Sequence, residues 1–329
     1  MMMSRMKNIK SLPWIKWEAI LKKISQYPTM SHNLLSLATY ASLITAAVLI
    51  GIKLFAYILS DSLSLFSTLI DSTLDGAASF INFFAVRRSL QPATAQYRFG
   101  HGKVEALAAL GQSAFIAGSS MFLFFSAIHR FYSPQIVEKP TVGVIVMGIS
   151  IFLTIGLVSF QRYVISRTKS LAISADSLHY FGDILINASV ILALILGDWL
   201  KWYFIDPLFA IGIGFYILRT SWLISKKALS QLMDHELSEE DRKEIKLTVL
   251  SHPKVIGLHD LRTRSSGLRS FIQLHLELED FIPLIEAHTI SDEVESKILT
   301  KFPHAEVLIH QDPRSAVGSK SSSENKIFW

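Results

Sequence analysis

Four ionisable side chains stand in stretches otherwise apolar enough for a membrane interior. Asp71 and Asp75 lie in LSLFSTLIDSTLDGAASFINFFAV, and His179 and Asp183 in LAISADSLHYFGDILINASVILALIL. Each pair is spaced i, i+4, so on a helix both members project from one face about one turn apart. Inserting a charged residue at mid-bilayer costs about 2.5 to 3.5 kcal/mol. Two matched pairs are therefore an expensive way to join helices by hydrogen bonds alone. Such residues ordinarily face a bundle interior or a watery path and mark where ions move. Three carboxylates and one imidazole can surround a divalent cation tetrahedrally. The mixed nitrogen and oxygen donors suit Zn²⁺, Fe²⁺ or Cd²⁺ better than Mg²⁺ or Ca²⁺, which favour all-oxygen shells. These residues imply movement of a metal ion across a membrane.

The elements that must position them are transmembrane helices. Half of the 329 residues are hydrophobic and 18% are charged, and the mean hydropathy of +0.37 lies outside the ordinary soluble range. Segments that meet the roughly 20 apolar residues needed to span recur near 34–59, 63–86, 104–128, 141–161, 171–197 and 203–224. The expected architecture is an all-α six-helix transmembrane bundle over 34–233, its second and fifth spans carrying the two pairs. Basic residues cluster between spans two and three (Arg87, Arg88, Arg98, Lys103) and between four and five (Arg162, Arg167, Lys169). Because positive charge resists translocation, both termini are expected in the cytoplasm. Residues 1–33 form a basic N-terminal cytoplasmic segment without the apolar core of a signal peptide. There are no cysteines, so strong metal ligands must come from His, Asp or Glu. The net charge of +5 follows from the membrane topology and gives no reason to invoke nucleic acid.

Composition turns from apolar to charged near Lys226 and Lys227, and residues 234–315 read as a soluble α+β domain. Ser238 and Asp241 resemble a capping arrangement, and Pro283 precedes a second helix running to about Lys301. Between them FIQLHLELE alternates, with Ile272, Leu274, Leu276 and Leu278 on one face and Gln273, His275, Glu277 and Glu279 on the other. GLHDLRTR and AEVLIHQD supply two more strands, giving the order α-β-β-α-β, a small open sheet with both helices on one face. His310 and Asp312, spaced i, i+2 on a strand, share a face. One polar surface can collect His259, His275, His288, His310 and Asp312. His32, His129, His235, His252 and His304 lack a matched partner at ligand spacing and read as surface or interfacial residues. Residues 316–329, rich in Ser and Lys, read as a disordered tail.

DSTLD at 71–75, FGHGKVEALAAL at 99–110, HYFGD at 179–183, DLRTRSSG at 260–267, FIQLHLELED at 271–280 and IHQDP at 309–313 resemble the cation diffusion facilitator family, especially its bacterial zinc and ferrous-iron efflux members. The likeness is collinear over roughly residues 34–315. It implies a homodimer in the bacterial inner membrane with a metallochaperone-like cytoplasmic dimerisation domain, exporting divalent metal in exchange for protons. It places the transport site at Asp71, Asp75, His179 and Asp183. It also implies a cytoplasmic binuclear site at His259, His275, His288 and His310, with Asp312 bridging two ions at the dimer interface. Lys103 and Asp234 resemble an interprotomer salt-bridge pair. Relatives that bind a further metal in the loop before FGHGK use an Asp and two His, whereas this chain offers Thr94, Tyr97 and His101, so one strong ligand remains there.

Other classes fit less well. A signalling metal sensor would need an output module, and nothing after residue 313 resembles one. An intramembrane metallopeptidase would use HExxH, but HYFGD puts no acid beside His179, and no enzyme activity is expected. A passive channel is disfavoured by a compact ligand set that binds rather than lets ions hop.

Overall fold

A computed structural model describes residues 14–60, 63–132, 141–200 and 205–317. Six long helices come first: α1 (Trp14–Ser60), α2 (Leu63–Ser89), α3 (Lys103–Tyr132), α4 (Thr141–Thr168), α5 (Leu171–Leu200) and α6 (Ile205–Leu232). They are followed by α7 (Glu239–Leu250), β1 (Gly257–Ser266), β2 (Arg269–Leu278), α8 (Leu284–Lys301) and β3 (Ala305–Pro313). The fold is a helical membrane region with an appended α+β domain. The described residues fall into two compact units, one of Leu35–Ser238 with Arg262–Phe271, the other of the residues up to Leu34 with Glu239–Leu261 and Ile272 onward.

In the first unit, stretches long and apolar enough to cross a membrane lie at Ser31–Leu59, Lys103–His129, Gly143–Thr168 and Pro207–Leu232. Those are α1, α3, α4 and α6. α2 and α5 hold the ionisable pairs. Side chains such as Ile58, Phe80, Phe122, Phe152 and Trp222 are exposed, as suits faces that meet lipid, which is as apolar as they are. Interior contacts use small residues: Ala109 of α3, Ala175 of α5 and Ala228 of α6 share a cluster with Ile116, Leu178, Ile217 and Ile224. A second cluster joins Leu157 and Val158 of α4 to Tyr180 of α5. Small side chains let helices approach closely where no hydrophobic effect drives them together.

The helices overrun the apolar segments. α1 begins at Trp14, well before the first predicted span, and α6 continues through Lys226 and Lys227 to Leu232. A change in composition marks where a helix leaves the bilayer, not where its backbone hydrogen bonding stops. The predicted N-terminal segment before Trp14 and the tail from residue 318 lie outside the described residues.

α5 starts with a two-part cap. Ser170 Oγ accepts from Ile173 N at 3.2 Å and donates to Glu105 Oε1 at 2.5 Å, while Leu171 N reaches the same oxygen at 3.1 Å. The Glu105 carboxylate, from the first turn of α3, thus sits at the positive end of α5 and satisfies amides that a helix start leaves unpaired. The tip of the β1–β2 hairpin belongs to this unit. Gly267 has φ +60°, and a Cβ on Gly102 would lie 2.2 Å from Ser266 O, so backbone approaches backbone where only glycine fits.

The remaining unit carries a three-stranded sheet in the order β1-β2-β3. Ile272, Leu274, Leu276 and Leu278 are buried along β2, as its alternation predicts. α7 opens with Glu239, Glu240 and Asp241 in its first turn, where carboxylates favour the helix dipole. α8 starts after Pro283, whose side chain makes no cap, and buries Ala287, Ile290, Val294 and Ile298 at helical spacing.

Candidate metal centres

α2 and α5 bring three of the four intramembrane residues together. Asp75, His179 and Asp183 offer ligand atoms that all lie within 4.8 Å of one another. His179 Nε2 meets Asp75 Oδ1 at 2.8 Å, with the imidazole only 11% exposed. Phe115 of α3 lies 6.3 Å from the imidazole, centroid to centroid, and Tyr180 lies 5.5 Å from it. Asp71, one turn along α2, is exposed and stands outside the group of three. The arrangement supplies one nitrogen and two carboxylates around a common point, with a further carboxylate one helical turn away, chemistry suited to a borderline divalent cation.

Two further ionisable residues of the bundle, one on α1 and one on α5, lack a matched i+4 partner and so escape the spacing argument. Lys53 of α1 donates through Nζ to Ser72 Oγ at 2.5 Å and to Thr68 O at 3.3 Å, both on α2. Asp176 of α5 is fully buried. Its Oδ2 accepts from Ser42 Oγ at 2.6 Å and Gln161 Nε2 at 2.7 Å, and its Oδ1 accepts from Gln112 Nε2 at 3.0 Å. Those donors come from α1, α4 and α3, so one carboxylate ties four helices together. One turn on, Tyr180 Oη meets Ser79 Oγ of α2 at 2.8 Å. The signal that finds both residues is an ionisable side chain in an apolar run, LIGIKLFAYIL for Lys53 and LAISADSL for Asp176.

In the second unit, His259, His275 and Asp312 form another group with ligand atoms within 4.8 Å of one another. Asp312 Oδ2 is 2.6 Å from His275 Nδ1 and 3.4 Å from His259 Nε2. Its Oδ1 lies 3.4 Å from His310 Nε2. The two oxygens of one buried carboxylate therefore address different imidazoles, a donor set able to hold more than one cation. His259 Nδ1 also meets Glu277 Oε1 at 2.9 Å, the kind of second contact that orients a ligating imidazole. His288, on α8, is 65% exposed and paired at 3.6 Å with Asp292, outside this cluster within the one chain. His252 differs from its reading as a surface or interfacial group. It is buried, and its Nε2 meets Glu293 Oε2 at 2.8 Å.

Lys103 Nζ and Asp234 Oδ1 lie 2.9 Å apart within a single chain. Arg264 Nη1 joins Asp234 at 3.3 Å, and its guanidinium lies over the rings of Phe271 at 4.6 Å and Phe99 at 4.9 Å. Partial desolvation works against the ionised Asp234 carboxylate, but Lys103 and Arg264 outweigh it and hold the group below its ordinary range. His101 is 6% exposed, and neither ring nitrogen has a hydrogen-bond partner among the described residues. Its ring lies 4.7 Å from Tyr97. It belongs to no cluster of potential ligands among the described residues.

A bundle of long helices with a metal-type donor set clasped between two of them, continued by an α+β domain with a second such set, defines a polytopic membrane protein built to handle cations. The chain belongs to the cation efflux family: residues 39–233 match its cation efflux transmembrane domain, and 237–314 match the cytoplasmic domain of cation efflux proteins. It is 49% identical to the cation-efflux pump FieF of Escherichia coli O1:K1 over 285 residues, 87% of this chain and 95% of that one. The same figures hold for FieF of E. coli strain K12 / DH10B. Among solved structures, the Zn form of CzrB is 32% identical with a TM-score of 0.24, covering 25% of this chain and 94% of that one.

Proposed function

We propose that this protein is a divalent-cation efflux transporter of the bacterial inner membrane, exchanging Zn²⁺, Fe²⁺ or Cd²⁺ for protons by alternating access in a homodimer with both termini cytoplasmic. Its membrane domain spans 34–233 and its cytoplasmic dimerisation domain 234–315. The observation that carries the reading is the convergence of Asp75, His179 and Asp183 between α2 and α5. Metal is the cargo. It enters from the cytoplasm, binds these three with Asp71 as the fourth ligand, and leaves when the helices rearrange to open the site outward. Ligation requires neutral imidazole and ionised carboxylates, so protons and metal compete for the same atoms. Imidazole exchanges protons near neutral pH, which makes His179 and Asp183 the proton carriers. The 49% identity to a cation-efflux pump over most of both chains supports the direction of transport.

In the cytoplasmic domain His259, His275, His310 and Asp312 would hold resident metal, and the two Asp312 oxygens suit a bridging role. His288 completes the proposed set only if dimerisation brings α8 to the cluster. Bound ions there would favour the docked domains over the separated ones through mass action. The central test is metal-driven proton flux in proteoliposomes. Asp75→Ala and Asp183→Ala are each expected to abolish it, and wild-type flux in both variants would remove the assignment.

A further inference from the structure

The metal reading accounts for the carboxylates between α2 and α5 but not for the cation beside them. Lys53 lies in an apolar run of α1, and its ammonium is fastened to α2 through two uncharged oxygens, Ser72 Oγ at 2.5 Å and Thr68 O at 3.3 Å. Ser72 adjoins Asp71, and Thr68 precedes it by three residues, about one turn. The charges that act on this ammonium are Asp183, Asp75 and Asp71, every carboxylate proposed for the transport site. A protonated amine has no lone pair and cannot ligate a metal. Its attachment to a hydroxyl and a carbonyl keeps it beside the carboxylates without capping any of them.

We propose that Lys53 is a fixed counter-charge that sets how tightly the transport site holds its cation. In the empty site it offsets the mutual repulsion of the three carboxylates, which would otherwise stand as a concentrated negative charge in a low dielectric. When a divalent cation is bound, the same ammonium repels it and opposes over-tight binding. A carrier needs that balance, since a site must bind well enough to load and weakly enough to unload. Lys53 is thus a positioned charge that tunes affinity, and Ser72 and Thr68 hold it at its station. The inference rests on the assignment of Asp71, Asp75, His179 and Asp183 to the transported metal.

The test compares Lys53→Gln, Lys53→Met and Lys53→Arg with wild type in proteoliposomes, reading Zn²⁺ flux against Zn²⁺ concentration. A unit charge acting on a divalent ion through an effective dielectric near 20 alters affinity by at least about tenfold at separations up to roughly 20 Å. Lys53→Gln and Lys53→Met are therefore expected to lower the apparent KM about tenfold or more while Vmax falls, and Lys53→Arg to restore both. Unchanged kinetics, a raised KM, or loss of Vmax at constant KM in the neutral variants would overturn the proposal. A parallel measurement is equilibrium Zn²⁺ binding to purified full-length protein in a His275→Ala, Asp312→Ala background, with and without Lys53→Met. It should show the same tightening, and equal affinities would again overturn it. Absence of Zn²⁺ flux in wild type with tighter binding in the Lys53→Met protein would instead fault the transport reading and leave the counter-charge standing.

Discussion

At the scale of single residues, two aspartates of one bundle, one fully buried and one half-buried, illustrate opposite uses of a carboxylate. Asp176 accepts three hydrogen bonds, from Ser42, Gln112 and Gln161. Asp75 has the imidazole of His179 as its close polar partner, leaving acceptor capacity for a cation. A carboxylate saturated by donors from three other helices is a fastening; one left with open lone pairs beside an imidazole is available to a cation. Removing the fastening takes the carboxylate from three buried donors, of which Ser42 Oγ keeps Ala38 O and Gln161 Nε2 keeps Ser42 Oγ, and leaving buried polar groups unpaired costs about 1 to 3 kcal/mol each. Asp176→Ala should therefore lower the thermal unfolding midpoint of the detergent-purified protein by several degrees, corresponding to about 3 kcal/mol or more. Asp75→Ala strands a single imidazole nitrogen and relieves carboxylate repulsion, so it should lower the midpoint less; equal losses in the two variants would erase the distinction. The i, i+4 spacing marked both pairs in the sequence but not that Asp71 stands outside the group of three. Asp176 and Lys53 were not legible by that rule, since what they meet is on other helices, and only their presence in apolar runs marks them.

At the scale of elements, α2 shows how a site obscures the helix that carries it: Asp71 and Asp75 lower the hydropathy of LSLFSTLIDSTLDGAASFINFFAV, the signal by which a span is recognised. The strand FIQLHLELE was fully legible, because a period of two separates a buried face from a wet one. Helix ends were not, since Lys226 and Lys227 leave the bilayer without leaving the helix. Nor does any sequence pattern disclose the approach of the β1–β2 tip to the start of α3. There Gly102 leaves room for Ser266 O, which a Cβ would meet at 2.2 Å, and overpacking of this kind costs about 1 to 3 kcal/mol. Gly102→Ala should raise protease cleavage at the hairpin tip and lower the unfolding midpoint by a few degrees, whereas Gly111→Ala, with open space around its Cβ position, should do neither.

At the scale of the whole molecule, the second donor set lies on one small sheet. His275 on β2 and both His310 and Asp312 on β3 follow from strand alternation, and β1 adds His259. The predicted shared polar surface thus gathers three of its four histidines about Asp312 and leaves His288 on α8. Spacing within a strand was legible; which helix face meets the sheet edge was not, because it depends on packing at a distance. If metal at this cluster favours the dimer, chelation of the wild-type protein should shift its sedimentation toward the protomer, with full return on adding Zn²⁺. The combined variant His275→Ala, Asp312→Ala should behave as the chelated protein regardless of metal; unchanged metal stoichiometry and sedimentation in that variant would refute the linkage. The claim on which all of this turns is that α2 and α5 jointly clasp a cation through His179 and carboxylates. It is tested most directly by zinc-edge X-ray absorption on the full-length protein carrying His259→Ala, His275→Ala, His310→Ala and Asp312→Ala, so that the membrane site is the strong donor set remaining. The expected shell is one imidazole nitrogen with carboxylate oxygens, its imidazole signal vanishing on His179→Ala. Absence of bound zinc, or an imidazole signal that survives His179→Ala, would contradict it.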